Sequence, residues 1–248
     1  MTVVDLKNMT VPEDVIKELG DKIAEHPTLS HHSSPAVLSR MLLARHLSVQ
    51  DAYVLWEAWA AWREEQQPHL IEEAHVAPQL AVQTVSIAGQ DKNGRACVLL
   101  RTRNHIPGQF PLEEMLRLTI YVLETSTTRS VKTSGTGYIT AVWDCQGQGY
   151  RNLDAALATA KPGIISIMKD YYPECLQSLL IVNSNLIFRI FWKIIYPFID
   201  ERTRTKIFML PNDEALLDHF HPHELPPDFA HLATEERERR KGGAEEGT

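Results

Sequence analysis

The sequence predicts an α/β fold, a mixed β-sheet covered by helices, which follows a small subdomain made only of helices. Between residues 96 and 210, short apolar runs of strand length alternate with longer amphipathic runs of helical length. This alternation is typical of strands joined by covering helices. Before residue 68, the apolar residues recur only at helical spacing. The chain has 248 residues, 44% of them hydrophobic and 23% charged, which is enough to bury a substantial core.

Two start signals define the amino-terminal helical subdomain, which we place at residues 11–67. Ser34 and Pro35 form an N-cap followed by proline at the first helical position. Residues 48–51 resemble a capping signal for a second helix that ends near Glu65. The apolar stripe of this second helix consists of Val49, Ala52, Trp56, Trp59 and Ala60.

The larger lobe, which we place at residues 78–230, contains the alternating strands and helices. Its predicted strands are 96–102, 137–144 and 178–183. Its predicted helices are 111–129, 153–172 and 186–198, with a break where Pro162 meets Gly163. The charged end of the chain, residues 231–248, contains glycine, so we predict a frayed helix and a disordered tail there.

The charge and the cysteines exclude several functional classes. The net charge is −7, which gives no general affinity for nucleic acid. Cys97, Cys145 and Cys175 lie far apart and lack the spacing of a zinc site, which suits a reducing compartment. The first residues lack the basic and apolar regions of a secretory signal. We therefore expect a cytoplasmic protein.

The longest apolar stretch, Leu179–Ile199, has the length of a membrane span. It contains Arg189 and Lys193, and a spanning helix would bury both cations at a cost of several kcal/mol. We therefore interpret the stretch as a strand followed by a separate helix.

The catalytic and metal-binding motifs in the chain are weak. Gly135–Thr140 contains two glycines in the spacing of a nucleotide loop, but it precedes a strand, whereas a dinucleotide loop follows one. His219, His221 and His223 alternate as metal ligands do in an extended segment, although prolines surround them and no carboxylates cluster there. We therefore predict no enzymatic activity, no metal site and no cofactor.

A polar segment follows the predicted helix 186–198 directly. Residues 198–210 read FIDERTRTKIFML, a run of charged and hydroxyl residues between apolar flanks. A solvated turn would explain this run. A buried polar headgroup that needs cations and hydroxyls at one place would also explain it.

This segment and the helix before it, IFRIFWKIIYPFIDERTRTKIF, resemble the CRAL-TRIO lipid-binding family, in particular its secretory phosphatidylinositol/phosphatidylcholine transfer proteins. Other motifs of the family occur in the same order: LLARHLSVQDAYVLWEAWAAWR, DKNGRAC, AVWDCQG and YYPECLQSLLIVNSN. The resemblance covers about residues 35–230, and residues 171–208 are its most specific part.

The resemblance implies that the α/β lobe encloses an apolar lipid pocket and that the helix beginning at Leu186 is its gate. The expected gate residues form one apolar stripe, with Phe188 and Trp192 outside it. Arg189 and Lys193 would reach lipid headgroups when the open gate lies in a membrane interface. The stripe consists of Ile187, Ile190, Phe191, Ile194, Ile195 and Phe198.

The resemblance also implies a phosphatidylinositol headgroup site. The matching positions are Arg45 from the helical subdomain, Glu174 after Tyr-Tyr-Pro, and Thr203 and Lys206 after the gate. The cations would pair with the phosphate, the hydroxyl would donate to it, and the carboxylate would accept from inositol hydroxyls.

Where choline-binding members carry tyrosines and a serine, this chain has Ile87, Val98 and Ile139. Phosphatidylcholine is therefore in doubt, and the second ligand is expected to be more apolar. The resemblance implies a monomeric lipid exchanger that visits membrane surfaces transiently, with bound phospholipid as its ligand. Two alternatives stay open: a carrier of a sterol or tocopherol-like hydrophobe, and a regulatory sensor that presents phosphatidylinositol to a lipid kinase.

Overall fold

The computed structural model describes residues 11–26 and 28–245, with side chains described as far as residue 238. The chain divides into two compact units, residues 1–67 and 68–248. Within the described residues, no helix combines the length and the hydropathy that crossing a membrane requires.

The first unit consists of three packed helices: α1 (Glu13–Ala24), α2 (Pro35–Ala44) and α3 (Val49–Gln66). Both predicted start signals are confirmed, because Pro35 opens α2 and the Ser48 hydroxyl accepts a hydrogen bond from the amide of Asp51 at 3.3 Å. The predicted stripe of α3 is buried apart from Val49, which is half-buried. The apolar faces of the three helices therefore form one small core around Trp56, which is fully buried.

The second unit is built on a five-stranded sheet in the order β1-β2-β3-β4-β5. β1 is antiparallel to β2, and every other neighbouring pair is parallel. The strands are β1 (Val85–Gln90), β2 (Ala96–Arg101), β3 (Ile139–Asp144), β4 (Leu176–Val182) and β5 (Ile207–Met209). The helices are α4 (Ala77–Ala81), α5 (Leu112–Ser134), α6 (Ala155–Thr159), α7 (Ile164–Tyr171), α8 (Leu186–Ile195), α9 (Glu201–Arg204) and α10 (Ala230–Glu245).

The two faces of this sheet are covered by different parts of the chain, because successive side chains of a strand point to opposite faces. On one face, Leu99, Val142 and Leu180 belong to a core cluster with Phe220 and Phe229, from the carboxy-terminal segment. On the other face, Ile181 clusters with Phe188 of α8, and Trp143 and Leu179 pack against them. The predicted gate helix therefore lies on one face of the sheet.

A buried ion pair ties the carboxy-terminal segment to the sheet. Arg101, at the end of β2, donates from Nη2 and Nε to the two carboxylate oxygens of Asp228, at 2.7 and 2.8 Å. Arg103 donates to both Asp228 and Asp144. The paired Arg101 guanidinium holds the pKa of Asp228 below its usual range, although partial burial opposes this shift.

The break predicted at Pro162–Gly163 is confirmed, because the segment predicted to be helical at 153–172 forms two helices, α6 and α7. Two other elements differ from expectation. The strand β1 was not predicted, because Ser86, Gly89 and Gln90 interrupt its apolar pattern. Residues 230–245 form α10, where a frayed helix and a disordered tail were predicted. Leu232 attaches this helix to the fold, because it is 2% exposed and belongs to the core cluster that covers the sheet.

Candidate functional site

The polar segment after the gate forms a capped helical turn, α9, just before β5. The Asp200 carboxylate accepts hydrogen bonds from the amide of Thr203 at 2.8 Å and from its hydroxyl at 2.7 Å. Burial raises the pKa of Asp200, but the hydrogen bonds from Thr203 outweigh burial and lower the pKa overall. Asp200 is therefore ionised at neutral pH and fixes Thr203 at the start of the turn.

Three charged side chains meet where β4 and β5 begin. Glu174, which precedes β4, accepts a hydrogen bond from Lys206 Nζ on Oε2 at 2.6 Å, and its Oε1 lies 2.9 Å from Nε of Arg202. All three side chains are largely buried: Glu174 is 12% exposed, Lys206 15% and Arg202 17%. We call these three residues the charge cluster. Two cations thus share one carboxylate, so the charge cluster carries more positive than negative charge.

The backbone of the parallel strands holds this cluster in place. The amide of Leu179 in β4 donates to the carbonyl of Lys206 at 2.9 Å, and the amide of Lys206 donates to the carbonyl of Thr203 at 3.0 Å. Glu174 adopts a φ of +57°, a left-handed conformation that is uncommon for a non-glycine residue. Such strain occurs most often at binding sites. These backbone hydrogen bonds therefore hold Lys206, one member of the charge cluster, at the start of β5.

The four residues predicted for the headgroup lie in both units. Glu174 and Lys206 are in direct contact, and the Thr203 hydroxyl donates to Asp200. Arg45 follows α2 in the first unit, is exposed, and donates to the carbonyl of Ala44 at 3.1 Å. Its part in the site stays a prediction.

Sequence reasoning missed Arg202, the second cation of the charge cluster. The signal was its position four residues before Lys206, since side chains at this spacing lie on one side of a helical turn. The neighbouring Arg204 is placed differently, because its guanidinium lies 4.1 Å from the ring centre of Tyr196. The structure thus separates the two arginines of the Arg-Thr-Arg sequence by role.

The gate helix α8 packs on the sheet through aromatic side chains. The ring of Phe188 lies 5.3 Å from the ring of Trp143, and that of Phe191 lies 6.1 Å from it, both edge to face. The Asn185 side chain caps the helix by accepting from the amide of Phe188 at 2.9 Å. The helix ends before Pro197 and continues as a single 3-10 turn, Tyr196–Phe198.

The opposite side of the gate exposes large apolar side chains in one row. These residues are spaced four apart, which aligns them along the helix surface. They are Leu186, Ile190, Ile194 and Phe198, with 71%, 40%, 47% and 54% of their surface exposed. Arg189 and Lys193 are also exposed on this helix. We call these four apolar residues the exposed row.

The predicted stripe of gate residues divides between the buried and the exposed side of the helix, and the role of these residues as a gate stays a prediction. Phe191 and Ile195 are buried, Ile187 is half-buried, and the remaining members belong to the exposed row. Phe188, which was placed outside the stripe, is fully buried. The helix carries apolar residues on most of its circumference, so periodicity alone did not determine the buried side.

The interface between gate and sheet contains one polar group without a hydrogen-bond partner. The indole Nε1 of Trp143 is buried, and no acceptor contacts it within the described part of the chain. Trp143 lies in register between Leu100 of β2 and Ile181 of β4. Because a buried donor without an acceptor costs free energy, this N–H is suited to donate to a polar group of a ligand.

Ile87, Val98 and Ile139, which stand where choline-binding relatives are expected to carry polar residues, are apolar side chains of the sheet. Ile87 in β1 is directly opposite Val98 in β2, and Val98 is 5% exposed. Ile139, at the start of β3, is 2% exposed. These side chains offer no hydrogen-bonding or cation-binding group.

A separate cleft of about 190 Å³ lies where the segments after β2 and β3 meet. It is lined by apolar residues that include Ile106, Phe110, Leu112 and Leu157. His105 and Asp154 also line it and contact each other at 2.9 Å. Its volume is below the range of about 300–1,000 Å³ that is typical of sites for whole small ligands.

The chain is similar in sequence to a known domain family and to several known proteins. A family model described as the CRAL/TRIO domain matches residues 81–229. "Protein real-time" of Aedes aegypti is 29% identical over 210 residues, which cover 77% of this chain and 32% of that protein. "Phosphatidylinositol/phosphatidylcholine transfer protein SFH7" of Arabidopsis thaliana is 25% identical over 224 residues, which cover 82% of this chain and 40% of that protein.

One solved structure, the "Crystal structure of Sfh5", matches with a TM-score of 0.63 at 19% identity and covers 84% of each chain. This match confirms the predicted fold class. The chain spans less than half the length of the curated relatives named above.

Proposed function

Because the chain belongs to the CRAL/TRIO domain family, whose members bind and transfer lipids, we propose that it binds phosphatidylinositol and exchanges it between membranes. The name of the Arabidopsis relative, a phosphatidylinositol/phosphatidylcholine transfer protein, supports the choice of lipid. The charge cluster is the observation that carries the proposal. Family members are generally not enzymes, which agrees with a function in which no bond is made or broken.

The charge cluster has the chemistry that a phosphodiester and an inositol ring require. A phosphate taken from water must be paired with cations. Lys206 and Arg202 supply two cations that already share Glu174. In this proposal Glu174 accepts from inositol hydroxyls, and the phosphate pairs with the positive charges of Lys206 and Arg202. Thr203, whose hydroxyl donates to Asp200 in this structure, and Arg45 stay proposed members of the headgroup site on the family resemblance.

The acyl chains would lie against the apolar face of the sheet that α8 covers. Two chains with roughly thirty methylenes would cost more than ~20 kcal/mol if they met water, at ~0.8 kcal/mol per methylene. The chains must therefore pass directly from bilayer to protein. The exposed row would enter the membrane interface, and Arg189 and Lys193 would contact anionic headgroups. In this proposal the protein is a monomer in the cytoplasm that docks on membranes transiently.

The second ligand is proposed to be more apolar than phosphatidylcholine. Ile87, Val98 and Ile139 supply no group that would bind choline. The N–H of Trp143 could still orient a single acceptor such as an ester or a hydroxyl. This arrangement favours, as the alternative function, a carrier of a sterol or tocopherol-like hydrophobe. Presentation of the bound lipid to a lipid kinase is the regulatory form of the main proposal.

A vesicle assay tests the proposal. Transfer of labelled phosphatidylinositol between donor and acceptor vesicles is expected for the wild type and at least tenfold slower for Lys206→Met. Lys132→Met, an exposed lysine on α5, is the matched control and should transfer normally. Arg45→Met tests the contribution of the first unit. Equal transfer by Lys206→Met and the wild type would refute the headgroup site.

A further inference from the structure

Three metal-ligating side chains converge in the first unit, outside the proposed lipid site. Oε1 of Glu64 lies 2.9 Å from Nε2 of His31 and 2.7 Å from Nε2 of His32. One ligand atom from each of the three residues falls within a group no wider than 4.8 Å. No other group of three such ligands occurs among the side chains that the structure describes, residues 11–26 and 28–238. The His219, His221 and His223 run therefore forms no such group.

The local fold holds two of these residues in place. His31 and His32 lie on the 3-10 turn Ser30–His32, which precedes α2, and Glu64 lies in the last turn of α3. The indole of the buried Trp56 donates to the carbonyl of His32 at 3.0 Å. The His32 ring also stands edge to face against Trp59, with 5.9 Å between ring centres.

One nearby charge opposes a cation at this place. Arg63 precedes Glu64 in α3, and its positive charge acts on the His32 ring. This charge repels a bound cation, which argues for a site of moderate affinity.

We propose that His31, His32 and Glu64 bind a divalent transition-metal ion of the zinc class. Two imidazoles and one carboxylate are a common protein ligand set for zinc, with water in the remaining position. Each neutral ring would bind the metal through Nε2 and carry its single proton on Nδ1. This is a change of tautomer, so metal binding releases no proton from the rings. The ion ties the Ser30–His32 turn to the end of α3.

The distances require only a small adjustment. Zinc bonds of about 2.0–2.1 Å in a tetrahedral site separate the ligand atoms by roughly 3.3 Å. The carboxylate must therefore move back from the two rings by about half an ångström. The Glu64 and His31 side chains are 49% and 59% exposed, which leaves room for this movement, whereas His32 is only 14% exposed. His32 is thus the fixed ligand and the other two adapt to it.

The test uses the full chain without an affinity tag, after removal of metals with a chelator. Zn²⁺ is titrated by calorimetry, and Co²⁺ by the visible absorption that reports its coordination. We expect one equivalent to bind, and the affinity to fall at least tenfold in Glu64→Gln and in His31→Asn. Both substitutions are at exposed side chains, so folding should be retained. The double change His221→Asn and His223→Asn is the matched control and should bind as the wild type does.

A second readout measures thermal unfolding with and without Zn²⁺. Stabilisation by zinc is expected in the wild type and in the His221/His223 control, and it should be lost in Glu64→Gln. Three results would overturn the proposal: absence of saturable binding, unchanged affinity in both ligand variants, or loss of affinity only in the His221/His223 control.

Discussion

Replacing Glu174 by glutamine removes the carboxylate that both cations of the charge cluster contact. Removing one partner of a buried ion pair costs about 3–5 kcal/mol, because the remaining charge stays buried. The side chains of the charge cluster are 12–17% exposed, and the ionised Asp200 lies near Lys206, so we expect the lower end, about 3 kcal/mol. For a unit of this size, about 3 kcal/mol lowers the Tm by roughly 6–12 °C.

Lys206→Met should cost much less, because Glu174 keeps its contact with Arg202 at 2.9 Å. We expect about 1 kcal/mol, which corresponds to roughly 2–4 °C in Tm. Lipid affinity should follow the opposite order. Lys206→Met loses a charge-assisted hydrogen bond to phosphate worth about 1.5–3 kcal/mol, so binding weakens by roughly 10- to 150-fold.

Two assays measure these quantities on the same preparations: thermal unfolding followed by circular dichroism, and binding of phosphatidylinositol from vesicles. Phosphatidylinositol should restore part of the Tm of Glu174→Gln, because the phosphate supplies the anion that the two cations lost. A loss of Tm as large in Lys206→Met as in Glu174→Gln would refute the shared-carboxylate account. If phosphatidylinositol did not raise the Tm of Glu174→Gln, the proposal that its phosphate lies beside Lys206 and Arg202 would be wrong.

Three further changes test other parts of the protein. The double change Ile190→Gln and Ile194→Gln should leave the Tm within about 2 °C but weaken vesicle binding roughly 10- to 30-fold in flotation, whereas Val131→Gln, of similar exposure, should bind normally. Trp143→Phe should weaken binding of an ester lipid about fivefold, as measured by titration, and unchanged affinity would contradict a role for its N–H. Asp228→Asn should destabilise the fold most at neutral pH, where the wild-type carboxylate is ionised. Because the pKa of Asp228 is lowered in the folded protein, the difference in free energy of unfolding between wild type and variant, measured in urea, should shrink as the pH falls below about 4. A difference that stays constant with pH would contradict this prediction.

The sequence predicted those elements in which local signals and burial agree. The N-caps at Ser34 and Ser48 and the apolar strands β2, β3 and β4 all lie near their predicted positions. The strand β1 was missed because its polar and glycine residues give no run of apolar side chains, and pairing with β2 defines it. Helix α10 was predicted only as a frayed helix before a disordered tail, because its composition is highly charged; one buried residue, Leu232, attaches it to the core.

The candidate site was predictable only in part. Glu174 and Lys206 came from the resemblance, and the structure adds the second cation, Arg202, which an alternation of arginine and threonine did not distinguish from Arg204. The orientation of the gate depended on the aromatic contact with Trp143, 45 residues before Phe188. Contacts of this kind join distant segments and leave no local periodicity. For the same reason, the contact between His32 and Glu64 could not be predicted from the sequence.

The identity of the lipid that co-purifies with the protein tests the central claim most directly. Mass spectrometry of the lipid bound to the full chain is compared for the wild type, Lys206→Met and the Lys132→Met control. We predict phosphatidylinositol in the wild type and the control, and its loss or strong reduction in Lys206→Met. A hydrophobe without phosphate in all three proteins would contradict the phosphatidylinositol proposal and would favour the alternative carrier function.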